Sequence, residues 1–164
     1  MHRHRLVQRA TLMLLTGMTL QAAAIPPSQL LLSRLLQHPD DDATFQAIIN
    51  TPSIDLEDTL STLLVRLEKA PKSGGLHAAI GRIYQALDRC PEARAHFEQA
   101  TSLLDKALVG PIGVAECALS TESWNASLHA FDVALRRTRS ARKRLEIQRH
   151  KLSIALNTGS EANA

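Results

Sequence analysis

The chain has 164 residues, a formal net charge of +3, and a composition in which 45% of residues are hydrophobic but only 3% are aromatic. Leu and Ala dominate, and both glycine-rich hairpin turns and alternating apolar and polar runs are missing, so a mainly β fold is excluded. We therefore expect an all-α protein.

The N-terminal residues have the pattern of a secretory signal peptide. Residues 1–9 carry three arginines and no acidic residue, residues 10–20 are apolar, and Ala22-x-Ala24 offers small residues for cleavage. The apolar stretch is shorter than the ~20 residues that span a bilayer. We expect residues 1–24 to be removed after Ala24 and the protein to be periplasmic. The alternative is an uncleaved anchor in the inner membrane.

Loss of this segment removes three arginines, which leaves 16 basic and 16 acidic residues of the original 19 and 16. A neutral, exported chain does not favour a nucleic-acid partner.

Residues 25–73 predict N-terminal helices at 42–50 and 55–69, with Asp42 and Asp55 as their caps. We interpret this region as a degenerate repeat.

The central part of the chain repeats with a period of 34 residues. Six positions recur without a gap, as Ile80, Gly81, Tyr84, Ala93, Phe97 and Ala100, and then as Val114, Ala115, Ala118, Ser127, Phe131 and Ala134. Within each copy the members share one helix face. A fixed period of this length predicts two helix–turn–helix units, at 74–107 and 108–141, whose usual role is to bind other proteins.

The first copy resembles the tetratricopeptide repeat. It reads His77-x-x-Ile80-Gly81-x-x-Tyr84, followed by Ala93-x-x-x-Phe97, where the family has Trp-x-x-Leu-Gly-x-x-Tyr and then Ala-x-x-x-Phe. Asp105 stands at the family's terminal Pro, and Gly110-Pro111 is the expected helix breaker, which predicts a longer second helix in the first unit and a shorter first helix in the next.

The resemblance implies a right-handed superhelix with a concave groove lined by the first helix of each unit. Its positions fall on seven residues, Arg82, Gln85, Ala86, Glu116, Leu119, Ser120 and His150. These are the candidate partner-binding residues, and a peptide or helix of another protein is the expected ligand. Simple solvent exposure is the alternative explanation for all of them.

Two features concern the end of the chain and its cysteines. Residues 142–156 predict a helix that caps the stack, with Leu145, Leu152 and Leu156 on one side, and residues 157–164 predict a disordered tail. In a stack of the implied kind, Cys90 and Cys117 lie toward the same end of neighbouring units. They form either a disulfide or two separate buried thiols.

Basic residues cluster before and within the capping helix, at Arg136, Arg137, Arg139, Arg142, Lys143 and Arg144. This cluster is either a solvated helix face or a docking surface for an acidic partner or anionic lipid.

No catalytic or metal-binding motif is present. The histidines are scattered, without His-Glu-x-x-His, and no Gly-x-Ser-x-Gly occurs. We expect no enzymatic activity, no metal and no cofactor. The sequence favours a periplasmic adaptor that supports assembly of an envelope complex, in pilus, secretion or cytochrome-maturation machinery. The alternatives are a chaperone for a secreted subunit and a purely structural subunit.

Overall fold

A computed structural model of the protein describes residues 26–161 of the chain, and the side chains of residues 26–158. Its regular secondary structure is all α-helix, as the sequence predicts, and the described residues contain no strand. Its helices are α1 (Pro27–Gln37), α2 (Asp42–Ile49), α3 (Leu56–Lys69), α4 (Gly74–Ala86), α5 (Cys90–Leu103), α6 (Val109–Ser120), α7 (Trp124–Arg137) and α8 (Ala141–Glu161).

The helices form a stack in which each one packs against its neighbours in the chain from α4 onward. The hairpin of α4 and α5 contacts the hairpin of α6 and α7 through α5 with α6 and α4 with α6, and α8 packs on α7. At the other end, α1 contacts α2 and α4, and α3 contacts α4. None of the helices between residues 26 and 161 has both the length and the apolarity needed to cross a bilayer. The predicted signal peptide lies outside the described residues.

The two hairpin turns repeat in backbone detail. Asp88 and Glu122 have positive φ values of 57° and 53°, and they are 34 residues apart. The next residue in each turn donates its N–H to a carbonyl five residues back, Arg89 to Tyr84 at 2.9 Å and Ser123 to Ala118 at 2.8 Å. This bond is typical of a helix that ends in a left-handed residue. The 34-residue period therefore extends from sequence to backbone geometry.

The core of the stack is built around Phe97, which is fully buried. A Cβ atom built on Gly81 would lie 2.9 Å from this ring, and one built on Gly113 would lie 2.5 Å from it. The absence of a side chain at both glycines thus lets α4 and α6 close on the two sides of Phe97. The other predicted core residues are also buried, namely Ile80, Tyr84, Ala93, Ala100, Phe131 and Ala134.

The helix boundaries correct two predictions about caps and breakers. Asp41, and not Asp42, caps α2, because its carboxylate accepts the N–H of Thr44 at 3.0 Å. Asp55 caps α3 as predicted, by accepting the N–H groups of Glu57 and Asp58. Gly110-Pro111 does not break a helix. It lies in the first turn of α6, where backbone N–H groups have no intrahelical carbonyl to donate to, so a proline loses no hydrogen bond there.

One arginine of the second hairpin donates hydrogen bonds to the loop that connects the two hairpins. The chain leaves α5 at Leu103, and Arg137 of α7 donates to the carbonyl oxygens of Thr101, Leu104 and Ala107 at 2.8, 2.9 and 3.1 Å. These carbonyls lie at the end of α5 and in the loop that follows, where no helical N–H is available. Arg137 therefore holds the connection between the two hairpins.

Three predictions about the ends of the stack were incomplete or wrong. Helix α1 was not predicted, although Leu30, Leu31 and Leu35 follow Pro26-Pro27 at helical spacing. Helix α8 continues to Glu161, so the expected disordered tail at 157–164 is helical through residue 161. The inner face of α8 carries Ile147 and Ile154, and the leucines expected to form its apolar side are exposed.

Candidate binding groove

Residues of five helices, α2, α4, α5, α6 and α8, line a cavity of about 380 Å³ on one side of the stack. Helix α2 and the residues before it form one wall, α4 and α6 form the base, and the first turns of α8 close the end. The lining residues are Asp40, Asp42, Phe45, Gln46, Ile49, Arg82, Gln85, Ala86, Phe97, Leu108, Val109, Ile112, Gly113, Glu116, Lys143 and Glu146. We call this cavity the groove.

The structure brings together four of the seven predicted groove residues, Arg82, Gln85, Ala86 and Glu116. It places the other three elsewhere. Leu119 packs in the apolar cluster between α6, α7 and α8, and the hydroxyl of Ser120 donates to the carbonyl of Cys117. His150 stacks on Phe131, with ring centroids 5.4 Å apart. It lies two turns beyond Lys143, about 10 Å along α8, so it is past the end of the groove.

An ion-pair network centred on Asp42 organises one end of the groove. Its carboxylate accepts from Arg82 at 2.6 Å and from Lys143 at 3.2 Å, and Lys143 also lies 3.3 Å from Glu146. The guanidinium of Arg82 is buried and lies 5.1 Å from the centroid of the Phe45 ring. This network links α2, α4 and α8, which are distant in sequence.

The pKa values in this region follow from the same contacts. Burial opposes ionisation of Asp42, but the hydrogen bonds and charges of Arg82 and Lys143 outweigh it and lower its pKa. At the cap of α2, the hydroxyl and N–H of Thr44, with help from Arg34, lower the pKa of Asp41 to about 2. Both carboxylates are therefore ionised at neutral pH.

The groove contains more acidic than basic side chains. Gln85 donates to Glu116 at 2.8 Å across α4 and α6, and Glu116 has no cationic partner among the described residues. Asp40 accepts the N–H groups of Leu108 and Val109 at 2.9 and 2.7 Å, at the beginning of α6. Four carboxylates against one arginine and one lysine leave a surplus of negative charge.

The groove also has an apolar lining between these polar groups. Phe45 and Ile49 of α2 and Ile112 of α6 line it there, and all three are half-buried. An apolar lining with a few fixed polar groups is the usual character of a ligand pocket. Sequence reasoning missed the contribution of α2, because its only visible signal was the acidic run that includes Asp40 and Asp42.

A disulfide lies close to the groove. It joins Cys90, at the beginning of α5, to Cys117 of α6, with the two Cα atoms 5.2 Å apart. The bond ties the second helix of the first hairpin to the first helix of the next, which fixes the spacing of the hairpins whose surfaces form the base of the groove.

The predicted basic cluster is divided by the structure into separate roles. Arg137 binds carbonyl oxygens at the end of α5, and Lys143 lines the groove. Arg144 donates to the carbonyl of Thr138 at 3.2 Å. The other three members, Arg136, Arg139 and Arg142, are exposed.

Two histidines that the sequence suggested to be scattered are in contact. The Nδ1 atoms of His77 and His96 are 3.1 Å apart, and His77 Nε2 lies 3.1 Å from the carbonyl oxygen of Pro71. Burial, and then the charge of His77, lower the pKa of His96. Within residues 26–161 no group of three or more His, Cys, Asp or Glu side chains is arranged to hold a metal ion.

The resemblance to tetratricopeptide repeats rests on the 34-residue repetition and on the residues quoted for it. Neither a protein-family model, nor a curated protein, nor a solved structure matches this chain.

Proposed function

We propose that the protein is an exported, tetratricopeptide-like adaptor that holds a segment of another protein in the groove and so supports assembly of an envelope complex. The observation that carries this proposal is the shared location of Arg82, Gln85, Ala86 and Glu116. The sequence predicts all four as groove residues, and they line one cavity.

The residues that line the groove indicate which kind of partner segment would bind there. Phe45, Ile49 and Ile112 supply an apolar lining, and the carboxylates around it outnumber the cationic side chains. A segment with an apolar side chain next to Lys or Arg satisfies both features, because its cation meets Glu116, which has no cationic partner within residues 26–158. A periplasmic location rests on the signal-peptide pattern of residues 1–24.

Ala86 is a better position than Arg82 for a substitution that blocks the groove. Arg82 is buried and bridges helices, so its replacement disturbs the fold as well as the groove. Ala86 is exposed within the groove. Ala86→Trp fills the groove with an indole ring, whereas Ala86→Ser changes the same position with little added volume and serves as the matched control.

The experiment is quantitative co-purification of the three forms from their native source, after circular dichroism has shown equal helicity. We expect at least one protein to accompany the wild type and Ala86→Ser, and to fall by roughly tenfold or more with Ala86→Trp. If Ala86→Trp retains every protein that the wild type retains, groove binding is not the function.

A further inference from the structure

Helix α8 has two apolar faces, and α7 covers only one of them. The inner face carries Ile147 and Ile154, which are 1% and 2% exposed. The outer face carries Leu145, Leu152 and Leu156, which are 61%, 60% and 65% exposed. Half of the large hydrophobic side chains that are exposed among the described residues thus lie on one line of one helix.

This line has the spacing of a helix–helix contact. Arg142, Leu145, Arg149, Leu152 and Leu156 follow one another at intervals of three, four, three and four residues, and all are exposed. We call these five residues the outer stripe. Such alternation gives a narrow stripe that matches a second helix packed alongside, with about 16 Å between the first and last leucine.

The charges on the outer stripe indicate the chemistry of its partner. Arg142 and Arg149 belong to the stripe and Arg144 lies beside it, and none of the three forms an ion pair within the described part of the chain. Glu146 is paired with Lys143 at the groove. A helix that covers the leucines therefore needs acidic residues along its edges to match these arginines.

Charge and shape disfavour two other occupants of the outer stripe. A second copy of the chain brings the same arginines to the interface, and like charges there are costly. A membrane surface favours a broad apolar face with aromatic anchors and with the basic residues on the opposite side. Here the leucines form a narrow line with arginines between them and no aromatic residue.

We propose that the outer stripe binds an amphipathic helix of a partner protein that presents leucine-sized apolar side chains flanked by Asp or Glu. This surface is separate from the groove, so it gives the protein a second binding site. The two sites differ in the partner chemistry they favour, because the groove is acidic and the outer stripe is basic.

The probe is a fluorescent synthetic peptide of three heptads, about 21 residues, with Leu at a and d, Glu at e and g, and Ala or Gln elsewhere. Glutamates at both e and g keep the peptide from pairing with itself. Binding to the purified protein is followed by fluorescence anisotropy. A second peptide with Lys in place of Glu tests charge, and vesicles of equimolar phosphatidylglycerol and phosphatidylcholine test the membrane alternative.

The variants are Leu152→Ser, the double variant Arg142→Glu with Arg149→Glu, and the matched control Leu30→Ser, whose leucine is 63% exposed on α1. All these side chains are exposed, so the fold is retained, and thermal melting checks this. We expect saturable binding of the Glu peptide by the wild type and Leu30→Ser. Binding should be at least roughly tenfold weaker for Leu152→Ser, for the double variant and for the Lys peptide.

Equal binding of the two peptides, or no loss with Leu152→Ser relative to Leu30→Ser, overturns the proposal. So does vesicle binding without peptide binding, or a concentration-dependent dimer that Leu152→Ser abolishes. Ala86→Trp in the groove is expected to leave peptide affinity unchanged. A loss with that variant also overturns the proposal, since it would show that the peptide occupies the groove.

Discussion

Gly113→Ala is expected to destabilise the protein, although alanine is the better helix former. Its added Cβ would lie 2.5 Å from the ring of Phe97, about 1 Å closer than a normal carbon–carbon contact. That ring is fully buried and has Gly81 of α4 on its other side, so it has little room to move. Overpacking of this kind costs about 2–3 kcal/mol, and the gain in helix propensity offsets about 1 kcal/mol, for a net loss of about 1–2 kcal/mol.

Urea unfolding of the oxidised protein, followed by circular dichroism, measures this loss. Gly81→Ala should cost less, because its Cβ would lie 2.9 Å from the ring. Phe97→Leu removes part of the ring, so in that background Gly113→Ala should be neutral or stabilising. Wild-type stability or better for the single variant Gly113→Ala would refute the packing of α4 and α6 around Phe97.

Three further predictions address other parts of the stack. Arg137→Met should lower the free energy of unfolding by about 2–3 kcal/mol, because three carbonyl oxygens lose a charged donor, while the exposed Arg136→Met stays near wild type in the same urea titration. Reduction of the Cys90–Cys117 disulfide, which closes a loop of sequence separation 27, should lower it by about 3–4 kcal/mol, measured with and without reductant. The pKa of His96 is lowered in the folded state, whereas in the unfolded state it is near 6.5. The unfolded state therefore binds a proton at His96 more readily, so the stability of the protein should fall as pH decreases below about 6.5. His96→Gln should flatten that part of the pH profile of the urea midpoint.

The repeated hairpins could be predicted because their signals are local. Small and aromatic residues recur at fixed distances, and Pro91 near the beginning of α5 marks the second helix of the first unit. The spacing also identified Gly81 and Phe97 as repeat-core positions, and the structure shows that they are in contact. Features that depend on helix period and turn chemistry were therefore accessible from the sequence.

The full groove could not be predicted, because it depends on contacts between distant segments. Asp42 and Lys143 are 101 residues apart, and nothing in their local sequence indicates that they meet. Arg82 has helix periodicity that places it off the core face, but its contact with Asp42 buries it. Only the four residues on α4 and α6 were found in advance.

The face of α8 that packs could not be decided from periodicity alone. The helix carries two lines with the same seven-residue spacing, and the leucine line has three members (Leu145, Leu152 and Leu156), whereas the isoleucine line has two. The inner face is chosen by the surface of α7, where Ile147 and Ile154 join the cluster around Phe131. A second apolar line is left exposed as a result, and it is the basis for the second binding site proposed above.

Site-specific photocrosslinking tests the central claim, partner binding in the groove, most directly. A photoreactive amino acid is placed at Ala86 on α4, at Gln46 on α2, which also lines the groove, and at Val65 on α3, which is 53% exposed outside the groove. The proposal predicts that the same partner protein is crosslinked in the native source from Ala86 and from Gln46, and not from Val65. Crosslinks that are equally strong from Val65, or absent from both groove positions, would contradict it.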